Sequence, residues 1–404
     1  MNEEIINESD EERSQRRRQR IQEMKRQKQR AELLQKRVFP AAMTVLFILI
    51  AAGITGLVKH SRNDAKEVPE QQLTEQKLNA QELTEQELSP EEIDSAAESV
   101  KQPVGQNYGE LFGPFPTSEP EPEAYAASAI ATTTGFPDAV ISEYGVLIDV
   151  ENGTILAQRS GKERISPASM TKILTVLTAA NALEIGGDDW ENSPVLDDKF
   201  VITIEITDYS FVNDCSNVGF DVGEEVTVRD LFYGTILPSG ADAALGLAYY
   251  VAGSQEAFVE LMNQELEQLG LSDSTHFTNC VGLYDENHYS TVYDIAVILK
   301  TAADNPFLRD VLSAHTYNTS ATEQHPEGLL VSNWFLRRIE DKDTHGEVIC
   351  GKTGYVVQSK NCAASLAADV NGKEYICVTA GSSSTWNCIR DQALLYQTWL
   401  TGEQ

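Results

Sequence analysis

One run constrains this chain more than any other: "VFPAAMTVLFILIAAGITGLV", Val38 to Val58, holds 21 residues without a charge between Lys36, Arg37 and Lys59. About 20 apolar residues at 1.5 Å rise cross a hydrocarbon layer of ~30 Å. A buried core helix is the alternative, and the neighbouring "RRRQRIQEMKRQKQR" argues against it. A cleaved leader would have a shorter apolar core and a small-residue cleavage site soon after it. The run therefore predicts one membrane-spanning helix over 38–58.

Charge divides the chain at the same place. Residues 1–37 carry 11 Lys/Arg and 8 Asp/Glu, a net +3, and the remainder carries 20 and 54, a net -34. Positive flanks stay on the cytoplasmic side, so residues 1–37 are expected in the cytoplasm and everything after Lys59 outside it. The predicted location is the cell membrane, single-pass, with an extracytoplasmic body. Such an acidic body argues against nucleic acid as a partner, since phosphate neutralisation needs clustered Lys/Arg.

Residues 59–135 read as an acidic, low-complexity linker, with "QQLTEQKLNAQELTEQELSPEE" and "TSEPEPEAYAAS". Leu73, Leu78, Leu83 and Leu88 recur every five residues, a spacing that winds leucines around a helix instead of lining one face. The expected state is a solvated, disordered spacer.

The folded domain is expected over 136–404. "YGVLIDVENGTILAQRS" reads as a hairpin turning at Asn152-Gly153. A helix should open at Ser166-Pro167, with proline at its first position, and run through "MTKILTVLTAANAL". "VTVRDLFYGTIL", "ADAALGLAYYVAG" and "SQEAFVELMNQELEQLGL" look helical; "GEVICGKTGYV" and "NCAASLAADVNGKEYICVTAG" read as strand and hairpin, and "RDQALLYQTWL" as a closing helix. The predicted class is α/β (α+β): an antiparallel sheet built from both ends of the domain, covered by helices, with a mostly helical subdomain inserted. All six cysteines follow the apolar run. Their even number permits disulfides outside the cell, their spacing matches no zinc pattern, and burial as apolar side chains is the other reading.

The chemistry centres on "SPASMTK". Ser169 and Lys172 stand at i and i+3, on one helical face, near a helix N-terminus that favours developing negative charge. Lysine serves as a base only if its pKa falls, which burial and a neighbouring cation achieve; Lys352 is the candidate neighbour. S-x-x-K alone is a weak signal. Seventy residues on, "PSGADAA" adds Ser239, and 113 residues further "CGKTGYV" adds Lys352-Thr353-Gly354. In this order the three elements match a serine-nucleophile set ending in K-T-G.

With "SPASMTKILT", "VTVRDLFYGTILPSGADAA", "THFTNCVGLYDENHYSTVYDIA" and "GKTGY", most of 136–404 resembles the serine D-alanyl-D-alanine carboxypeptidases, the low-molecular-mass penicillin-binding proteins. The resemblance implies removal of the terminal D-Ala from peptidoglycan stem peptides ending in D-Ala-D-Ala, through a serine acyl-enzyme, with β-lactams as covalent inhibitors. Carried over by position, it makes Ser169 the nucleophile, Lys172 the base and Ser239 a proton relay. It makes Lys352 and Thr353 the carboxylate-binding pair, gives Gly354 room for the substrate backbone, and forms the oxyanion hole from the N–H groups of Ser169 and Tyr355. It implies no cofactor and no metal.

The sequence departs from that family at one site position: the second element, usually Ser-Gly-Asn, reads Ser239-Gly240-Ala241. A methyl group cannot replace an amide that hydrogen-bonds the lysine and the substrate. The loss is worth roughly 1.5–3 kcal/mol if uncompensated, so a backbone carbonyl or water would have to substitute. The chain also stops soon after the catalytic domain, and the N-terminal span is expected to tether it instead of the family's C-terminal anchor. Two alternatives stay open: a catalytically weakened penicillin- or muropeptide-binding protein, and a serine β-lactamase, for which no convincing glutamate element is visible. Asn279, His288 and Tyr289 are expected to structure a loop, and Arg390 to begin the last helix.

Overall fold

The computed structural model describes residues 125–400 and the single residue Arg26. The segments assigned as cytoplasmic and membrane-spanning, and the linker as far as residue 124, otherwise lie outside the described residues. Among the described residues, no helix is long and apolar enough to cross a membrane.

The strands are β1 (Ser128–Gly135), β2 (Tyr144–Asp149), β3 (Thr154–Arg159), β4 (Lys199–Val201), β5 (Glu225–Thr227), β6 (Thr316–Asn318), β7 (Leu330–Ser332), β8 (Gly346–Val356), β9 (Lys360–Asp369) and β10 (Glu374–Ser382). The α-helices are α1 (Thr171–Ala182), α2 (Ile204–Val212), α3 (Val228–Ile236), α4 (Ala241–Ala252), α5 (Gln255–Gln268), α6 (Val292–Asp304), α7 (Pro306–Ser313), α8 (Leu336–Ile339) and α9 (Thr385–Trp399).

Six strands form one sheet in the order β1-β3-β2-β10-β9-β8, so both ends of the domain meet in it, with β2 beside β10. Strand alternation divides the core. Val146, Ile148, Ile376 and Val378 face the main core with α1 and α6, while Leu147, Tyr375 and Cys377 face Leu395 and Tyr396 of α9. A sheet covered on both faces explains why β2 and β10 read as nearly continuous apolar runs instead of alternating ones. Buried hydrogen bonds join α9 to the sheet: Ser365 Oγ to Gln392 Oε1 at 2.5 Å, and Gln392 Nε2 to the Ala363 carbonyl at 2.8 Å.

Two expectations need correction. The folded unit begins before Phe136, because Ser128–Gly135 is an edge strand of the sheet. It pairs parallel to β3, so the sheet is antiparallel only over its other five strands. Nearly every residue of β1 is exposed and the strand is held through its backbone, so "SAIATTTG" carries no burial pattern that would mark it as a strand. The predicted helix start is also displaced. Residues Ala168–Met170 form a 3-10 turn capped by Pro167, and the α-helix proper starts at Thr171.

Of the helices, α1 is buried on all sides, with every residue from Thr171 to Ala180 enclosed. A helix apolar all round belongs in an interior, and its threonines find partners there: Thr175 Oγ1 donates to the Cys280 carbonyl at 2.7 Å. α3 opens with a capping box, in which Thr227 Oγ1 accepts from Asp230 N and Asp230 Oδ2 accepts from Thr227 N, both at 3.0 Å. Cys280, Cys350, Cys362, Cys377 and Cys388 are buried thiols outside any disulfide, which fits their reading as apolar side chains.

Candidate active site

Ser169 sits in the 3-10 turn that leads into α1, and Lys172 in the first α-helical turn. Lys172 Nζ donates to Ser169 Oγ at 3.2 Å and to the Val281 carbonyl at 2.7 Å. Two glycines make room for this turn. At Gly282 (φ +82°) a Cβ would lie 2.0 Å from the Ala168 carbonyl oxygen, and at Gly354 a Cβ would lie 3.0 Å from the Ser169 amide nitrogen. The strand carrying Gly354 and Tyr355 therefore runs against the backbone of the serine turn.

The turn bearing the Val281 carbonyl is tightly organised. Asn279 Oδ1 accepts from the N–H groups of Val281, Gly282 and Leu283 at 3.2, 2.8 and 3.0 Å. His288 Nδ1 accepts the Thr278 N–H at 3.1 Å, so the neutral ring carries its proton on Nε2, which lies 2.8 Å from Thr171 Oγ1. Burial holds the His288 pKa at about 3, which keeps the ring neutral. Asn279 and His288 thus position loop and helix, as a loop-structuring role requires.

On the opposite side, Lys352 Nζ on β8 donates to Ser239 Oγ at 2.8 Å and to the Thr353 carbonyl at 2.9 Å. Ser239 precedes α4 and has φ +62°, while Ala168, next to Ser169, has φ +49°. Each left-handed residue that is not glycine costs about 1–3 kcal/mol. Asp242, buried in the first turn of α4, accepts the N–H groups of Val218 and Gly219 at 2.9 and 3.0 Å. It thereby ties the 216–220 loop to the helix start. Burial raises the Asp242 pKa against the pull of these bonds.

Both lysines are almost wholly enclosed. Burial lowers Lys172 to about 8, against the opposing influence of Cys215, Cys280 and Asp242. Burial first, and then repulsion from Lys172, pushes Lys352 well below the usual lysine range. An amine near 8 is partly deprotonated at neutral pH and can accept a proton from the adjacent hydroxyl.

These groups face one cleft of about 550 Å³, lined by Ser169, Lys172, Ser239, Thr353, Gly354 and Tyr355 among others. Of the residues predicted to be catalytic or substrate-binding, only Lys352 stands behind the lining, reaching the cleft through Ser239. The cleft also contains Asn217, Trp334 and Arg338, none of which the sequence reading named. The Trp and Arg of "SNWFLRRIE" were the one available sign. Arg390 is exposed within α9, which begins at Thr385 instead of at Arg390, and it does not line the cleft. Ala241 is fully buried, and the Lys172 amine has a backbone acceptor in the Val281 carbonyl.

Residues 131–384 match the family model for D-alanyl-D-alanine carboxypeptidase. Among curated relatives, the D-alanyl-D-alanine carboxypeptidase DacF of Bacillus subtilis is 29% identical over 263 residues, covering 64% of this chain and 63% of that protein. DacC of Escherichia coli is 34% identical, covering 38% of each chain. This chain therefore spans less than two thirds of the length of either. Among solved structures, a point mutant of a Streptomyces DD-transpeptidase superposes with TM-score 0.55 at 29% identity, over 64% of this chain and 98% of that one. Penicillin binding protein 5 from Haemophilus influenzae gives TM-score 0.56 at 26% identity, over 65% and 71%. The fold, the cleft and a family match covering more than half of the sequence lead to one assignment: this chain belongs to the D-alanyl-D-alanine carboxypeptidase family.

Proposed function

We propose that this protein is a membrane-anchored serine D-alanyl-D-alanine carboxypeptidase acting on peptidoglycan stem peptides. One observation carries the reading: Lys172 Nζ lies 3.2 Å from Ser169 Oγ, with its pKa brought down to about 8. Neutral Lys172 takes the Ser169 proton as Oγ attacks the carbonyl of the penultimate D-Ala. The N–H groups of Ser169 and Tyr355 receive the developing oxyanion. The Lys352–Ser239 pair relays the proton taken up by Lys172 to the amine of the departing D-alanine, leaving an ester on Ser169 and a neutral Lys172. Water activated by Lys172 then hydrolyses the ester and restores the hydroxyl.

The same serine would be acylated by β-lactams. A weakened binding protein is suggested only by Ala241, and the Val281 carbonyl offsets that loss at the lysine. For a β-lactamase, a glutamate placed to activate water would be needed, and among the described residues none lines the cleft. The anchor reading rests on the uncharged run Val38–Val58 and the basic residues before it.

The test uses a fluorescent penicillin and a peptide ending in D-Ala-D-Ala. Stable labelling with D-alanine release, both lost in Ser169→Ala, is the expected result. Rapid penicillin turnover would instead indicate a β-lactamase, and labelling without peptide turnover a binding protein.

A further inference from the structure

A peptide lying in the cleft brings backbone carbonyls with it, and each one removed from water needs a donor there. The groups at the floor are engaged with the bond under attack. Lys172 bonds Ser169 and the Val281 carbonyl, and Lys352 holds Ser239. Ala241, at the head of α4, is apolar and buried. Arg338 belongs to the rim: its guanidinium carbon lies 4.5 and 5.5 Å from the ring centroids of Trp334 and Trp386, both about half exposed.

Two side-chain amides line the cleft, Asn217 and Asn361. Asn361 is committed, since its Nδ2 donates to the Ser382 carbonyl at 3.2 Å and its Oδ1 accepts from Thr385 Oγ1 at 2.9 Å. The Asn217 amide has no hydrogen-bond partner among the described residues, and the residue is half-buried.

The backbone that carries Asn217 is nevertheless pinned. On one side the Ala241 N–H donates to the Ser216 carbonyl at 2.8 Å. On the other, Asp242 accepts the N–H groups of Val218 and Gly219. The Val218 side chain plugs the gap left by two glycines: a Cβ on Gly234 would lie 2.6 Å from its Cγ2, and one on Gly240 2.7 Å. Residues 216–218 are thereby fixed to the start of α4, just beyond Ser239. An amide between two fixed neighbours has little backbone freedom left to lose on binding. In the catalytic reading the attacked carbonyl is met by the N–H groups of Ser169 and Tyr355. The nearest carbonyl still lacking a donor is that of the preceding peptide bond.

We propose that Asn217 donates its side-chain N–H to the carbonyl of the peptide bond preceding the penultimate D-Ala, so that the loop after α2, and not α4 itself, supplies the amide that aligns the acyl donor. The proposal rests on the catalytic reading above and adds a substrate-binding residue to it.

The experiment measures kcat/KM of the full-length protein for an N-acyl peptide ending in D-Ala-D-Ala and for its analogue with sulfur in place of that carbonyl oxygen, a weaker acceptor. The wild type should prefer the oxygen substrate. In Asn217→Ala the oxygen-to-sulfur ratio should fall about threefold to tenfold, the worth of one neutral hydrogen bond. Asn217→Leu, which keeps the volume and offers no donor, should match it and stands in if the alanine variant does not fold. Asn217→Gln, with the same donors on a longer arm, should retain more of the preference. A ratio within twofold of wild type in the alanine and leucine variants would overturn the contact, since a loop that is merely deformed lowers both substrates together. Failure of the wild type to release D-alanine from the oxygen substrate would overturn the catalytic reading, and this contact with it.

Discussion

At the floor of the cleft, two lysine amines are enclosed and each donates to two protein oxygens. At the rim, one guanidinium lies between two half-exposed indoles with its donors unspent. Both places hold cationic side chains, and burial lowers the pKa of each, but from different starting points. Lysine yields its proton when desolvated, whereas arginine stays charged under the same treatment. The floor is thereby suited to moving protons and the rim to holding an anion. The intrinsic basicity of each side chain, and not enclosure alone, separates the two roles.

The contrast can be broken most severely from the floor. Lys172→Ala should lower D-alanine release by about 10²–10⁴-fold, the usual worth of a positioned base, while circular dichroism reports an intact fold. Next is the turn that supplies the Val281 carbonyl. Asn279→Ala removes the acceptor of three backbone N–H groups. It should cost about 1–3 kcal/mol in urea unfolding and lower activity about tenfold.

The pH profile sharpens the same comparison. Because the base acts when neutral, kcat/KM should rise about tenfold per pH unit below a pKa of about 8 and level above it. Penicillin acylation should follow the same curve.

A smaller effect concerns His288, whose folded pKa of about 3 lies below its ordinary value of 6.5. Below pH 6.5 the unfolded chain binds a proton that the folded one refuses. Stability should therefore fall as pH drops from 6.5 toward 3, by up to about 1.4 kcal/mol per unit. In His288→Gln that component of the acid sensitivity should vanish from thermal melts. The smallest change in rate is expected for Ala241→Asn. Lys172 already has its carbonyl partner, so activity should rise less than about threefold. The added bulk at a fully buried position should cost about 1–3 kcal/mol.

Much of the fold could be read where local chemistry repeats itself. Asn152-Gly153 marked the hairpin now seen as β2 and β3, and the "GKTG" stretch marked β8. The S-x-x-K spacing placed Ser169 and Lys172 together even though the serine lies in a 3-10 turn, because i and i+3 share a face in both helix types. Other features had no such signature. Strand β1 is exposed and paired through its backbone, so no side-chain periodicity announced it. Helices α2, α6, α7 and α8 were not read from the sequence. The Val281 carbonyl is a main-chain atom and has no letter of its own. Trp334, Arg338 and Trp386 meet only after α8 packs against β8 and α9, and 48 residues of chain separate Trp386 from Arg338. Spacing within a short motif cannot encode such a meeting.

Two of the left-handed residues at the cleft, Ala168 and Ser239, carry an evolutionary consequence. Glycine at 168 would relax the chain and make the molecule hardier, while loosening the one hydroxyl whose aim matters. Lineages drifting toward heat tolerance should therefore collect their gains elsewhere, on α9 or the sheet, and leave these two awkward bends alone.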